Sequence, residues 1–134
     1  MRFLVGAKEG GHRIALSASA GREKLLYHLR RVESLPFFDV LMASELCREI
    51  KPSLDLDMKV AGLLGVSSEE CLVIEDSANG LLAVMGAHTQ CLIMPNTITR
   101  HCDFSGTFLV LDFLGLFDFD EVTAVFDQGG RARA

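Results

Sequence analysis

Short apolar runs recur along the chain with helix-period segments between them, and this alternation constrains the fold more than any other feature of the sequence. Arg13-Ile-Ala-Leu16, Phe37 to Ala43, Cys71-Leu-Val-Ile74, Gln90 to Met94 and Thr107 to Leu111 read as strands, the third buried by its continuous apolar character and the fourth ended by Pro95. Between them, Glu23 to Val32 carries Leu25, Leu26 and Leu29 at helical spacing and is ended by Pro36. Leu54 to Leu64 is closed by Gly65 in the C-terminal capping position, and Leu81 to Met85 runs up to Gly86. Ahead of the first strand, Phe3 to Glu9 reads as a helix stopped by Gly10 and Gly11. Strands separated by single helices imply right-handed βαβ crossovers, hence an α/β, Rossmann-like parallel sheet with helices on both faces.

With 134 residues, 49% of them hydrophobic and 23% charged, the chain is expected to form one core over residues 1–115, followed by a partly disordered tail over 116–134. A formal net charge of −5 leaves no basic stripe for nucleic acid and no basic amphipathic helix for a membrane surface. The long apolar run from Gly106 to Phe119 is interrupted by Asp112 and Asp118, and the first residues lack a signal-peptide layout, so a cytoplasmic protein with a small-molecule role is expected. Cys47, Cys71, Cys91 and Cys102 are scattered singly, as are His12, His28, His88 and His101, which suggests neither a zinc site nor a disulfide framework.

In an open parallel sheet, ligands bind beyond the carboxyl ends of the strands, so the loops there are read first for chemistry. After the first strand, Ser17 and Ser19 precede Gly21 and a helix N-terminus, a setting that suits a phosphate and equally suits a helix cap. Lys51 beside Pro52 puts a cation at a helix start, which the macrodipole disfavours unless an anion is near; a plain surface lysine is the alternative. Glu75-Asp76 ends an apolar run with two carboxylates, hard oxygen donors of the kind that hold Mg²⁺ together with water and phosphate, while capping of the next helix by Asp76 is the alternative.

The order hydroxyl, lysine, acidic pair on successive βα units resembles the haloacid dehalogenase (HAD) superfamily over roughly residues 2 to 115. Ser17-Ala-Ser19 resembles its second motif, Lys51-Pro52 its third, and Cys71-Leu-Val-Ile-Glu-Asp-Ser-Ala-Asn-Gly80 its fourth and most specific. The stretch Pro95 to Gly106 followed by Leu109-Val-Leu-Asp112 is similar to the CbbY/β-phosphoglucomutase-like subgroup, which acts on sugar phosphates. The resemblance implies a Mg²⁺-dependent phosphatase acting on a small phosphomonoester. It implies that the motif-two serine and the neighbouring loop, Ser17, Ala18 and Ser19, hold the phosphoryl group. Matching the Ser-Ala-Ser triplet favours Ser17 for the key position, matching the strand favours Ala18, and Ser19 stays open. Lys51 would neutralise charge, Glu75 and Asp76 would hold Mg²⁺, and Ser77, Asn79 and Gly80 would form the supporting loop.

Family members attack phosphate with an aspartate of a DxDGT-type motif on their first strand, ahead of a mobile cap. No such motif stands in these 134 residues, and the expectation is an incomplete core, inactive by itself: a non-catalytic phosphate and metal-binding remnant, or a truncated gene product. Asp118-Phe-Asp120 and Val125-Phe-Asp127 echo the motif only in part, and Gly6 to Gly11 has P-loop glycine spacing without the Lys-Ser/Thr that binds phosphate. In the family the absent strand lies mid-sheet, so two inner edges are expected to be unpaired and open to self-association.

Overall fold

The computed structural model describes residues 1–43, 54–112 and 117–132, with side chains described except at 54–57 and 128–132. The element order is α1 (Arg2–Glu9), β1 (Ala15–Ser17), α2 (Arg22–Arg31), β2 (Val40–Met42), α3 (Leu54–Leu64), β3 (Leu72–Glu75), α4 (Ala78–Gly86), β4 (Gln90–Ile93), β5 (Leu109–Val110) and α5 (Phe119–Ala132). All strand pairs are parallel: β1 with β2 in register Ala15 to Val40, β3 with β4 in register Leu72 to Gln90, and β4 with β5 in register Leu92 to Leu109. The architecture is the expected α/β arrangement of crossovers, divided into a two-stranded sheet (β1-β2) and a three-stranded sheet (β3-β4-β5).

Side-chain alternation on β4 explains how helices come to cover both faces of the larger sheet. Cys91 and Ile93 pack with Leu81 and Val84 of α4, whereas Leu92 points the other way and packs with Leu111 and with Val122 of α5. Leu92 and Ile93 are fully buried, each contributing about 1.5–3 kcal/mol of apolar transfer energy. Leu25 and Leu29 of α2 cover Leu16 and Leu41 of the smaller sheet. Two helices hold the sheets together where strand pairing does not: α3 packs on β1, β2 and α4, while α1 packs on α5 and on the 3-10 turn Leu35–Phe37. Lys8 at the end of α1 donates to both carboxylate oxygens of Asp39, at 2.7 and 2.6 Å, and Asp39 also accepts from the Ile14 N–H at 2.7 Å. The lysine bond first, then the backbone bond, hold the Asp39 carboxyl below its ordinary value.

Several elements differ from the sequence expectation for identifiable reasons. Phe37 belongs to a 3-10 turn rather than a strand, because Pro36 presets its φ and lacks an N–H; β-pairing starts only after the Asp39 N–H reaches the Ile14 carbonyl at 2.7 Å. α2 stops at Arg31, before the proline is reached. α4 begins at Ala78, earlier than Leu81, since Ser77 caps it by accepting the Gly80 N–H at 3.0 Å. α3 ends as expected at Gly65, whose φ of +71° takes the left-handed conformation that favours glycine. β3 is less buried than its apolar run suggests: Ile74 is 38% exposed because, among the described residues, no strand pairs with β3 on the side away from β4.

Within the 116–134 stretch, residues 119–132 form α5. Val122 is buried in the core, and Phe119 sits edge-on to Phe3 at a ring separation of 5.2 Å, close enough to Gly6 that an added Cβ there would lie 2.8 Å from the Phe119 Cβ. Gly6 therefore serves helix packing, not phosphate binding. Residues 133–134, like Cys47, lie outside the described residues. No helix among the described residues is long and apolar enough to cross a membrane.

Candidate active site

The carboxyl ends of β1 and β3 face a common cleft of about 360 Å³, lined by Ser17, Ala18, Ser19, Ala20, Ile74, Glu75, Asp76 and Met94. It lies where a parallel α/β sheet is expected to bind ligands, between strands that each have a single partner among the described residues. The structure thus brings together two of the three sequence-derived groups, the motif-two serines with Ala18, and the acidic pair. Lys51 lies outside the described residues.

Ser17 is the last residue of β1, and its Oγ is buried without a hydrogen-bond partner among the described residues. A buried hydroxyl that stays unpaired costs about 1–3 kcal/mol. Ala18 continues the ladder, its N–H donating to the Met42 carbonyl at 2.9 Å, while Ser19 is exposed. Helix capping does not account for the serines: the N-cap of α2 is Gly21, and no side chain caps it.

Across the cleft, Glu75 is the last residue of β3 and is partly buried, whereas Asp76 is exposed. Asp76 is not the cap of α4 either, because Ser77 fills that role. The Glu75 carboxylate lies against the first turn of α4, in the space a Cβ on Gly80 would occupy; that ideal Cβ would stand 2.1 Å from Oε2 and 2.7 Å from Oε1. A negative charge is favoured at a helix N-terminus, the positive end of the helix dipole. Asn79 is exposed on the same turn. The Asp76 carboxylate accepts a bond from Asn96 Nδ2 at 3.0 Å, a contact between residues far apart in sequence. Pro95-Asn-x-x-Thr99 is an Asx-turn signal that could have drawn attention to Asn96, but not to its partner.

The donor set suits a hard cation in part. Glu75 and Asp76 offer carboxylate oxygens, and two carboxylates with water and substrate phosphate are a common way of holding Mg²⁺. Among the described residues there is no group of three or more His, Cys, Asp or Glu side chains able to hold a metal. Asp118, Asp120 and Asp127 do not line the cleft; Asp118 pairs with Arg2 at 2.7 Å, on the α1–α5 side of the fold.

Comparison with known proteins agrees with this geometry. The profile of the haloacid dehalogenase-like hydrolase family matches residues 2–94. The chain is 36% identical to YhcW of Bacillus subtilis over 72% of this chain and 44% of that protein, and 34% identical to the CbbY protein of Cereibacter sphaeroides over 82% of this chain and 49% of that one. Crystal structures of Rhodobacter sphaeroides CbbY, one with phosphate and one of a mutant with xylulose-(1,5)bisphosphate, superpose with a TM-score of 0.77 at 32% identity, covering 82% of this chain and 50% of theirs. The chain thus spans about half the length of these relatives. A parallel α/β core with its hydroxyls and acidic pair at one strand-end cleft, matched by the family profile over most of its length, makes this chain a CbbY-like member of the haloacid dehalogenase-like hydrolase family.

Proposed function

We propose that the cleft is the phosphate and metal half of a Mg²⁺-dependent phosphatase site for a small sugar-phosphate-type phosphomonoester, working in the cytoplasm where such substrates occur. The observation that carries this reading is the buried Ser17 Oγ, without a hydrogen-bond partner among the described residues, in the same cleft as Glu75 and Asp76. In this reading the Ser17 hydroxyl donates to a phosphoryl oxygen, with the Ala18–Ser19 loop shaping the rest of the cradle and Lys51 supplying positive charge. Glu75 and Asp76 would hold Mg²⁺, which supplies charge neutralisation for the phosphoryl oxygens. Ser77, Asn79 and Gly80 keep the acidic pair on a capped helix start. Substrate class rests on the CbbY relatives, one of which is seen with a sugar bisphosphate.

The DxDGT nucleophile is not among these 134 residues, and among the described residues no aspartate outside the acidic pair lines the cleft. The 134 residues by themselves therefore bind Mg²⁺ and phosphate without turnover. Calorimetric titration with orthophosphate should show binding that EDTA removes, and assays against p-nitrophenyl phosphate and sugar phosphates should show no hydrolysis. Absence of any phosphate binding by folded protein would reject the site; Mg²⁺-dependent hydrolysis would mean that a carboxylate within the chain is the nucleophile. Ser17→Ala should weaken orthophosphate binding about tenfold yet stabilise the fold by about 1 kcal/mol, because it removes an unsatisfied buried hydroxyl. A destabilised Ser17→Ala protein would mean that the hydroxyl has a structural partner.

The edges of β1 and β3 that no strand among the described residues pairs with, and the partly exposed Ile74 of β3, also favour self-association of the isolated 134 residues. Sedimentation should reveal concentration-dependent oligomers. A monomer across the accessible concentration range, with β1 and β3 amides protected from exchange, would reject this.

A further inference from the structure

Asn96 follows β4 by three residues, so it stands at the carboxyl end of the strand next to the one that delivers Asp76. Its side chain is locked at both ends. Oδ1 accepts from the Ile98 N–H at 2.8 Å and the Thr99 N–H at 3.1 Å, while the Asn96 N–H donates to Thr99 Oγ1 at 3.0 Å. With the carbonyl end engaged twice, only the NH₂ end can face Asp76, to which Nδ2 donates at 3.0 Å. A flipped amide would set oxygen against carboxylate and NH₂ against two N–H donors, so the orientation follows from the network. Pro95 restricts the backbone entering this turn and limits the freedom the amide could regain.

We propose that Asn96 is a positioning residue for Asp76, its turn-locked amide holding one carboxylate oxygen so that the other faces the cleft to take a divalent cation. The inference rests on the proposed role of Asp76 as a metal ligand and extends it to a residue with no ligand contact of its own. Asp76 is exposed at the cleft mouth, and a carboxylate there without a fixed neighbour would have to give up rotamer freedom on binding. The turn has already restricted the amide, so the ordering cost falls on folding instead. Partners of this kind typically alter metal affinity by about 10–100-fold when removed.

The test is Asn96→Ser with Ile98→Ala as control, read by calorimetric titration with Mg²⁺ and Mn²⁺. A serine hydroxyl can still accept from the Ile98 and Thr99 N–H groups and keep the turn, but it is too short to reach Asp76. Asn96→Ser should raise both dissociation constants about tenfold with the melting temperature unchanged, whereas Ile98→Ala, which trims an exposed side chain and keeps every bond of the turn, should change them less than twofold. Equal binding by wild type and Asn96→Ser would overturn the role of Asn96 and leave Asp76 as ligand intact. No binding by wild type would overturn the metal site and this inference with it. Should Asn96→Ser fail to fold, the wild-type protein still decides: the Asn96 side-chain NH₂ resonances should shift on Mg²⁺ titration, and resonances that stay fixed while metal binds would overturn the proposal.

Discussion

Asp76→Ala should abolish measurable Mg²⁺ binding to the chain, a loss of about 100-fold or more, while leaving the melting temperature within a degree or so of wild type. The two halves of that expectation have separate grounds. Affinity depends on Asp76 because only it and Glu75 present carboxylates to the cleft among the described residues, and losing one of two charged ligands removes half of the negative charge facing the cation. At 1.36 kcal/mol per tenfold, a 100-fold loss corresponds to about 2.7 kcal/mol, a reasonable share for one of two charged ligands. Stability is spared because Asp76 is exposed, does not cap α4, and is held through a single described side-chain bond to Asn96. Substitutions of this kind usually stay within about 0.5 kcal/mol. Calorimetry with Mg²⁺ beside a thermal melt checks both halves. An unchanged dissociation constant would remove Asp76 from the metal site, and a strongly lowered melting temperature would show that the carboxylate is structural.

The fold was legible where a single element carries its own signal. The alternation of apolar runs and helical segments leads to parallel pairing, and Gly65 marks the end of α3 because a left-handed residue is required there. Strand lengths were less legible: β1 is Ala15–Ser17, β2 only Val40–Met42, since pairing starts where the neighbouring backbone allows it and not where hydrophobicity starts. α5 was hidden for a different reason. Phe119, Val122 and Phe126 have helical spacing, but the Gly129-Gly130 pair and the arginine and alanine end obscure it, and it is packing with Phe3, Leu92 and Phe108 that gives the helix a face to bury. At the site, the residue types and their strand-end positions could be read along the chain. What could not be read were the relations across it, such as the burial of the Ser17 hydroxyl without a partner among the described residues, the fit of Glu75 against Gly80, and the Asn96 amide on Asp76.

Gly80→Ala turns one of those relations into a measurement. Gly80 lies in α4, where alanine is the better helix former by about 1 kcal/mol, and its φ is not in the left-handed region, so the backbone would accept the change. The added Cβ would stand 2.1 Å from Glu75 Oε2, 2.2 Å from Cδ and 2.7 Å from Oε1, and no packing can absorb such distances. Since the obstacle is the end of a flexible side chain, the carboxylate moves and the helix stays. Glu75 loses its place at the positive end of the α4 dipole, which offsets the propensity gain, and net stability changes by less than about 1 kcal/mol. Metal affinity should fall about tenfold or more, because one of the two carboxylates is displaced. A double-mutant cycle separates this from a general disturbance of the loop. In a Glu75→Ala background the same glycine substitution has nothing to displace, so it should leave the residual affinity unchanged and raise stability by the helix-propensity gain alone. Equal losses of affinity in both backgrounds would mean that Gly80 acts on the site through the backbone, and that the position of Glu75 against α4 is incidental to metal binding.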